Sequence, residues 1–199
     1  MSSEELNQVT QYLTFVLADE QFAFQIAKVR EVLDYTTITK IPRMPDFLRG
    51  VINLRGNVVP VIDLRLKLGM SAIKKTVDTC IVIVEVEAGG DLMQIGALAD
   101  SVQEVIDLDP SHISPPPKIG AKINTDFMQG MGKQNDEKFL IILDIDRVLS
   151  EAELAVMQST AGASAPVMEE EQDIESEEAS LDLDMGKPDN DPDAQEARV

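Results

Sequence analysis

Short apolar and β-branched runs, broken at close intervals by Gly, Pro, Asn and Asp, make up most of the hydrophobic pattern of this chain. Runs of this length with turn residues between them predict strands rather than helices. Tyr12 to Leu17 and Phe22 to Ile26 flank Ala18-Asp19-Glu20-Gln21, a hairpin pattern, and a single helical turn is expected at Ala27 to Arg30. Glu31 to Asp34 and Thr36 to Ile41 read as further strand, ending at Pro42, which cannot donate to a ladder. Met44 to Gly50 is expected to form one short helical turn closed by glycine. Val51 to Arg55 and Val58 to Leu64 then alternate across Gly56-Asn57, and Pro60 calls for an edge position or a bulge. A helical stub follows at Arg65 to Met70. The later strands are expected at Thr79 to Glu87, Leu92 to Ala99, Val102 to Leu108 and Phe139 to Asp144, with mainly helix from Ile145 to Met157.

The same pattern occurs twice. Phe47-Leu48-Arg49-Gly50 is echoed 80 residues later by Phe127-Met128-Gln129-Gly130, and Val61-Ile62-Asp63-Leu64 by Ile142-Leu143-Asp144-Ile145 at 81. Val29-Arg30-Glu31-Val32-Leu33-Asp34 returns as Val102-Gln103-Glu104-Val105-Ile106-Asp107, preceded in each case by Gln-Ile. A period this long is a domain-sized unit, so the chain is expected to hold two similar small units. Short strands joined by turns favour small barrels or sandwiches over a parallel α/β sheet, and two barrels are preferred. The fold predicted is mainly β, with two tandem five-stranded barrels and short helices. Residues 1–11 are read as a flexible N-terminus, 12–158 as the folded body with its internal boundary near 70–78, and 159–199 as an acidic disordered tail.

Charge sharpens that division. Residues 1–150 carry 21 acidic and 15 basic groups, whereas 151–199 carry 15 acids against Lys187 and Arg198. The tail has few residues able to bury apolar surface and offset its ordering entropy. A chain of net charge −19 is a poor partner for nucleic acid, whose binding depends on Lys and Arg neutralising phosphate. Cys80 is the single cysteine and lies in the apolar run Cys80 to Val84, so a buried, inert thiol in a reducing compartment is expected. Acidic residues stand where a secretory signal needs basic ones, and no apolar run approaches the ~20 residues of a bilayer span. A soluble cytoplasmic protein with no membrane insertion is the expectation.

No enzyme signature emerges. His112 is the sole histidine and reads as a surface or capping residue, since nucleophilic catalysis needs a base held by a third group. Asp189, Asp191 and Asp193 have the opening spacing of a calcium loop but lack its glycine and closing glutamate. Gly89-Gly90 and Gly130-Met131-Gly132 do not lie between a strand and a long helix, so no nucleotide loop is supported. No catalytic residue, metal ligand or cofactor is assigned. Arg55 is different: it stands at a hairpin tip in an apolar stretch, and the second copy has no basic residue at the matching place.

Phe47 to Gly56, followed by Val59-Pro60-Val61-Ile62-Asp63-Leu64, resembles the signature segment of the CheW family of bacterial chemotaxis coupling proteins. Tyr12 to Phe15, Ile26 to Val32 and Pro115-Pro116-Pro117 support the resemblance, which runs from about residue 10 to residue 158. It implies two barrels of the Src-homology-3 type, no catalytic activity, and a scaffold between two partners. One is the cytoplasmic tip of a chemoreceptor coiled coil, and the other is the regulatory domain of the histidine kinase CheA. Membrane-associated arrays would then be reached through the receptor. The family's receptor-facing groove lies between the barrels and corresponds here to Val29, Glu31, Gly50, Arg55, Gly96, Val102 and Val105. Two other readings stay open: a coupling protein of a non-flagellar pathway such as twitching motility, and a generic peptide-binding barrel. Readers of proline-rich peptides line their grooves with aromatics, and this chain has six Phe, two Tyr and no Trp.

Overall fold

A computed structural model describes residues 9–116, 125–133 and 139–161. Its strands are β1 (Thr10–Leu17), β2 (Glu20–Gln25), β3 (Val29–Asp34), β4 (Leu48–Leu54), β5 (Asn57–Asp63), β6 (Cys80–Ala88), β7 (Asp91–Ala99), β8 (Ser101–Leu108), β9 (Ile113–Ser114), β10 (Met128–Lys133) and β11 (Phe139–Leu143). Its helices are α1 (Leu64–Lys67), α2 (Ile145–Val148) and α3 (Glu151–Ala161). Most expected elements are present within a few residues. The turn expected at Ala27 to Arg30 is a 3₁₀ turn over Ile26–Lys28, and the strand begins at Val29. The helical turn expected at Met44 to Gly50 does not form: the Leu48 N–H donates to the Pro45 carbonyl in a turn, and strand starts at once. The strand expected at Thr36 to Ile41 reduces to one bridge, Thr39 with Val51. Pro117, the end of the proline run, and the tail beyond residue 161 lie outside the described residues.

The strands form two sheets, ordered β8-β1-β2-β11-β10-β9 and β3-β6-β7-β5-β4. If the first copy of the repeat is β1 to β5 and the second is β6, β7, β8, β10 and β11, the two orders are the same. Each copy, however, places its first hairpin in the other copy's sheet. Hairpin β1–β2 lies between β8 and β11, and hairpin β6–β7 lies between β3 and β5. The boundary expected near 70–78 therefore separates the copies in sequence but not the sheets in space, because the second sheet runs across it. Parallel pairing makes both joins, β2 with β11 through Phe22↔Ile141 and β7 with β5 through Gly96↔Val61.

Each sheet closes on itself. The chain leaving β3 returns to β4 through Thr39↔Val51, and the chain leaving β8 returns to β10 through Ser114↔Met131. The same bulge precedes each closure, between Leu48 and Gly50 and between Met128 and Gly130. Only glycine fits there. A Cβ on Gly50, whose φ is +137°, would lie 2.1 Å from the Thr39 carbonyl oxygen, and one on Gly130 2.9 Å from that of Ser114. Pro60 is tolerated inside β5 because Val51, opposite it, turns its own N–H and carbonyl to Thr39, while the β5–β7 ladder spans only Val61–Asp63.

Strand alternation divides the core into three. Ile52, Val59, Val61, Ile81, Ile83 and Leu98 fill one barrel, and Tyr12, Ala23, Leu108, Leu140 and Ile142 fill the other. The opposite faces of the same strands send Phe15, Phe22, Phe24, Ile62, Val82, Val84, Ile95 and Leu143 into a shared cluster between the sheets. Phe15 stacks on Phe22 and Phe24 with ring centroids 6.0 and 4.8 Å apart. Strands buried on both faces read as unbroken apolar runs, which explains Cys80 to Val84. Thr14, 2% exposed, repairs the bulge between β1 and β8: its hydroxyl donates to the Glu104 carbonyl at 2.8 Å and accepts from the Glu104 N–H at 3.1 Å. Thr14→Val keeps the volume and orphans both groups, so we expect a loss of about 1–3 kcal/mol by urea denaturation.

Asp63 and Asp144 accept from the N–H groups that open α1 and α2, and each receives the chain at a backbone hydrogen bond to Phe47 or Phe127. The helix expected from Ile145 to Met157 is interrupted at Leu149-Ser150, where Ser150 and Glu153 form a reciprocal cap for α3. Lys67 on α1 donates to Glu153 at 2.6 Å and lies 4.6 Å from the Phe47 ring centroid and 5.8 Å from that of Phe127. One ammonium thus ties the matching phenylalanines of both copies to α3. Burial pushes the Glu153 carboxyl up, but hydrogen bonds from Lys67 and Ser150 outweigh it and hold it below its ordinary value. A carboxyl lowered by folding stabilises fully above its ordinary value of 4.5, and that stability is lost as pH falls through the folded value. The urea midpoint should therefore fall on acidification below about pH 4.5, and Glu153→Gln should flatten that part of the profile.

Candidate functional site

Of the seven residues expected at a partner-binding surface, five lie on or beside the exposed margins of β3, β8 and the β4–β5 turn. Val29 and Val102 are half-buried and pack on the edge of the shared cluster. They occupy equivalent places, Val29 opposite Val84 and Val102 opposite Phe15. Val105 is 47% exposed, and its counterpart in the first copy, Val32, is 42% exposed. The margins of the two sheets approach each other here: Cys80, opposite Asp34 at the end of β3, belongs to the shared cluster on which both Val29 and Val102 pack. Burial first of all holds the Cys80 thiol above its usual range.

Gly50 and Gly96 are buried. Gly50 abuts Thr39 at the barrel closure, and a Cβ on Gly96 would come 2.7 Å from Ile81 and 3.2 Å from Val61. Both shape the strands under the surface and neither is positioned to touch a partner.

Arg55 and Glu31 come together. The Arg55 guanidinium donates to the Glu31 carboxylate at 2.9 Å, with the arginine side chain 76% exposed and the glutamate 25%. The pair joins opposite edges of one barrel, because β3 and β4 are the outermost strands of that sheet. The turn is Arg55-Gly56, one residue earlier than the expected Gly56-Asn57. Its two residues have φ of +54° and +90°, and Asn53 accepts from the Gly56 N–H at 2.8 Å. Both central residues of such a turn need positive φ, which favours Asn, Asp or Gly. An arginine held there costs of order 1 kcal/mol, and strain of this kind concentrates at functional positions. On the adjoining face Arg30 pairs with Glu85, whose carboxyl the Arg30 hydrogen bond holds below the usual range, and Lys28 pairs with Asp146 at 2.5 Å.

Comparison with known proteins fits this arrangement. Residues 11–153 match the family model of the CheW-like domain. The chain belongs to the CheW-like family. It is 33% identical over 151 residues to the chemotaxis protein CheW of Klebsiella aerogenes, covering 76% of this chain and 88% of that one. It is 34% identical over 146 residues to CheW of Helicobacter pylori, covering 73% and 85%. The crystal structure of the scaffolding protein TtCheW from Thermoanaerobacter tengcongensis superposes with a TM-score of 0.66 at 37% identity, covering 74% of this chain and 94% of that one. This CheW-like chain is thus a chemotaxis scaffold and not an enzyme.

The sequence reading missed Val32, although the repeat contained the signal: Val32 is to β3 what Val105 is to β8. His112 is exposed at the end of a 3₁₀ turn that Asp109 caps through the Ser111 N–H at 2.8 Å. Among the described residues no three His, Cys, Asp or Glu side chains gather as metal ligands would, and no helix is long and apolar enough to cross a membrane.

Proposed function

We propose that this chain couples the cytoplasmic tip of chemoreceptor coiled coils to the regulatory domain of the histidine kinase CheA, acting in the cytoplasm as a non-covalent bridge. The observation that carries the reading is the exposed, strained Arg55 fixed by Glu31 beside β3, with Val32 and Val105 standing out of the margins of the two sheets. A receptor tip is an amphipathic helical hairpin. Its apolar anchors at i, i+3 and i+4 need a shallow apolar strip with a charged residue to set register. Val29, Val102 and Val105 supply such a strip, and Arg55 with Glu31 the register. The space between the barrels is filled by the shared core, so the partner lies along its rim and not inside it. Gly50 and Gly96 contribute by holding the strands that present this rim.

The test is direct binding of the full chain, by titration calorimetry, to a receptor cytoplasmic hairpin and separately to the CheA regulatory domain. Saturable binding to both, with the two able to bind at once, is expected. Failure to bind either would overturn the reading.

A further inference from the structure

Basic residues are distributed unevenly over the body. Residues 36–77 carry eight basic groups against two acidic, whereas the remainder of the first 150 carries seven against nineteen. Three of the eight are paired with acids, Arg55 with Glu31, Arg65 with Asp100 and Lys67 with Glu153. Lys40, Arg43 and Arg49 are exposed and have no acidic partner among the described residues.

The strand register brings Lys40 and Arg49 to the same edge strand as Arg55. On β4 Ile52 faces the barrel core while Leu48, across the bulge, faces the shared cluster; Arg49 and Asn53 are exposed, and Arg55 follows at the strand's end. The bridge Thr39↔Val51 is antiparallel, so the backbone of Lys40 runs alongside Gly50, the residue after Arg49, and both basic residues are exposed. Six residues of strand separate Arg49 from Arg55, about 20 Å. That is the length of roughly 13 residues of α-helix. Unpaired basic groups on an otherwise acidic body raise the local potential where a negatively charged partner would otherwise be repelled.

We infer that the exposed side of β4, through Arg49 with Lys40 running beside it, is a docking strip for an acidic face of a partner helix continuous with the contact at Arg55. The inference rests on the proposed function and deepens it: the helix that covers Arg55 belongs to the receptor hairpin and carries acids spaced three or four apart along about four turns. The strip acts mainly on association rate and on salt dependence.

The test uses the full chain, wild type and Lys40→Glu/Arg49→Glu, titrated with the receptor hairpin at low and high salt. At about 50 mM salt the variant should bind at least about tenfold more weakly, mainly through a slower on-rate, and at about 0.5 M the gap should shrink to under about threefold. The neutral variant Lys40→Gln/Arg49→Gln should fall between, and circular dichroism should show all three folded alike. If wild type binds and both variants match it in affinity and salt slope, the strip is refuted while the coupling function stands. If wild type fails to bind, the coupling function is refuted first. Binding of wild type to vesicles containing phosphatidylglycerol that the substitutions abolish, with hairpin binding unchanged, would overturn the inference in favour of a lipid ligand.

Discussion

Gly50→Ala is expected to give the largest stability loss of any single methyl group added to this body. The position has φ of +137°, a region that alanine can enter only with strain, and the new Cβ would sit 2.1 Å from one backbone oxygen and 2.8 Å from the carbon that bears it. Relief cannot come from a rotamer change, since the obstacle is main chain. Either Thr39 moves away from Val51, which breaks the bridge that closes the barrel, or the bulge before Gly50 is lost and β4 shifts against β5. Strain of this kind costs of order 1–3 kcal/mol, and losing the closure adds a comparable amount. Against a total stability of about 5–15 kcal/mol the sum of roughly 4 kcal/mol is severe, corresponding to about 8–16 °C in Tm for a body of this size. Gly56→Ala is the control, because its Cβ would meet nothing within 4 Å. It should lose only the cost of positive φ, about 1 kcal/mol. Calorimetry on both separates closure from turn strain, and equal losses would show that the contact with Thr39 has no part in stability.

How far the sequence reveals this architecture depends on which physical signal each part leaves. The two copies are legible because β3 and β8, or β4 and β10, face the same environments and so carry the same apolar alternation. The exchange of first hairpins leaves no such mark. Hairpin β1–β2 has the same pattern whether it pairs with its own copy's β5 or with β11, since both offer a valine- or isoleucine-rich edge. The continuous run Cys80 to Val84 held the one hint, for a strand apolar on both faces must be covered twice, and an isolated five-stranded barrel covers it once. Met44 to Gly50 misled because its glycine resembles a helix C-cap, whereas Gly50 is needed for close approach to Thr39. Arg55 was legible as an unmatched charge, but its ion pair with Glu31 joins two residues at opposite edges of one sheet, and only closure of the barrel brings them into contact.

Reversing that pair should separate structure from recognition at the candidate site. Arg55→Glu faces Glu31 with like charge. The arginine is exposed, so a surface ion pair worth about 0.2–1 kcal/mol is all that stability can lose, and the Tm should move by no more than a few degrees. Binding should suffer far more, because a central arginine in an interface typically carries 2 kcal/mol or more, roughly 30-fold in Kd for the receptor hairpin. The swap Arg55→Glu/Glu31→Arg restores the ion pair across the barrel but presents the opposite charge at the tip. If Arg55 serves recognition, the swap recovers stability and leaves binding weak. If Arg55 merely ties β3 to the β4–β5 turn, the swap recovers both, and the assignment of Arg55 to a partner is wrong. Arg55→Gly adds an independent measure. Glycine removes the strain of φ +54°, worth about 1 kcal/mol, together with the ion pair, worth about 0.2–1 kcal/mol, so this variant should be at least as stable as the wild type while binding weakens. A residue that strains its own turn, and whose replacement costs the fold nothing while association is lost, has been placed for the partner, since a purely structural role would lose stability along with binding.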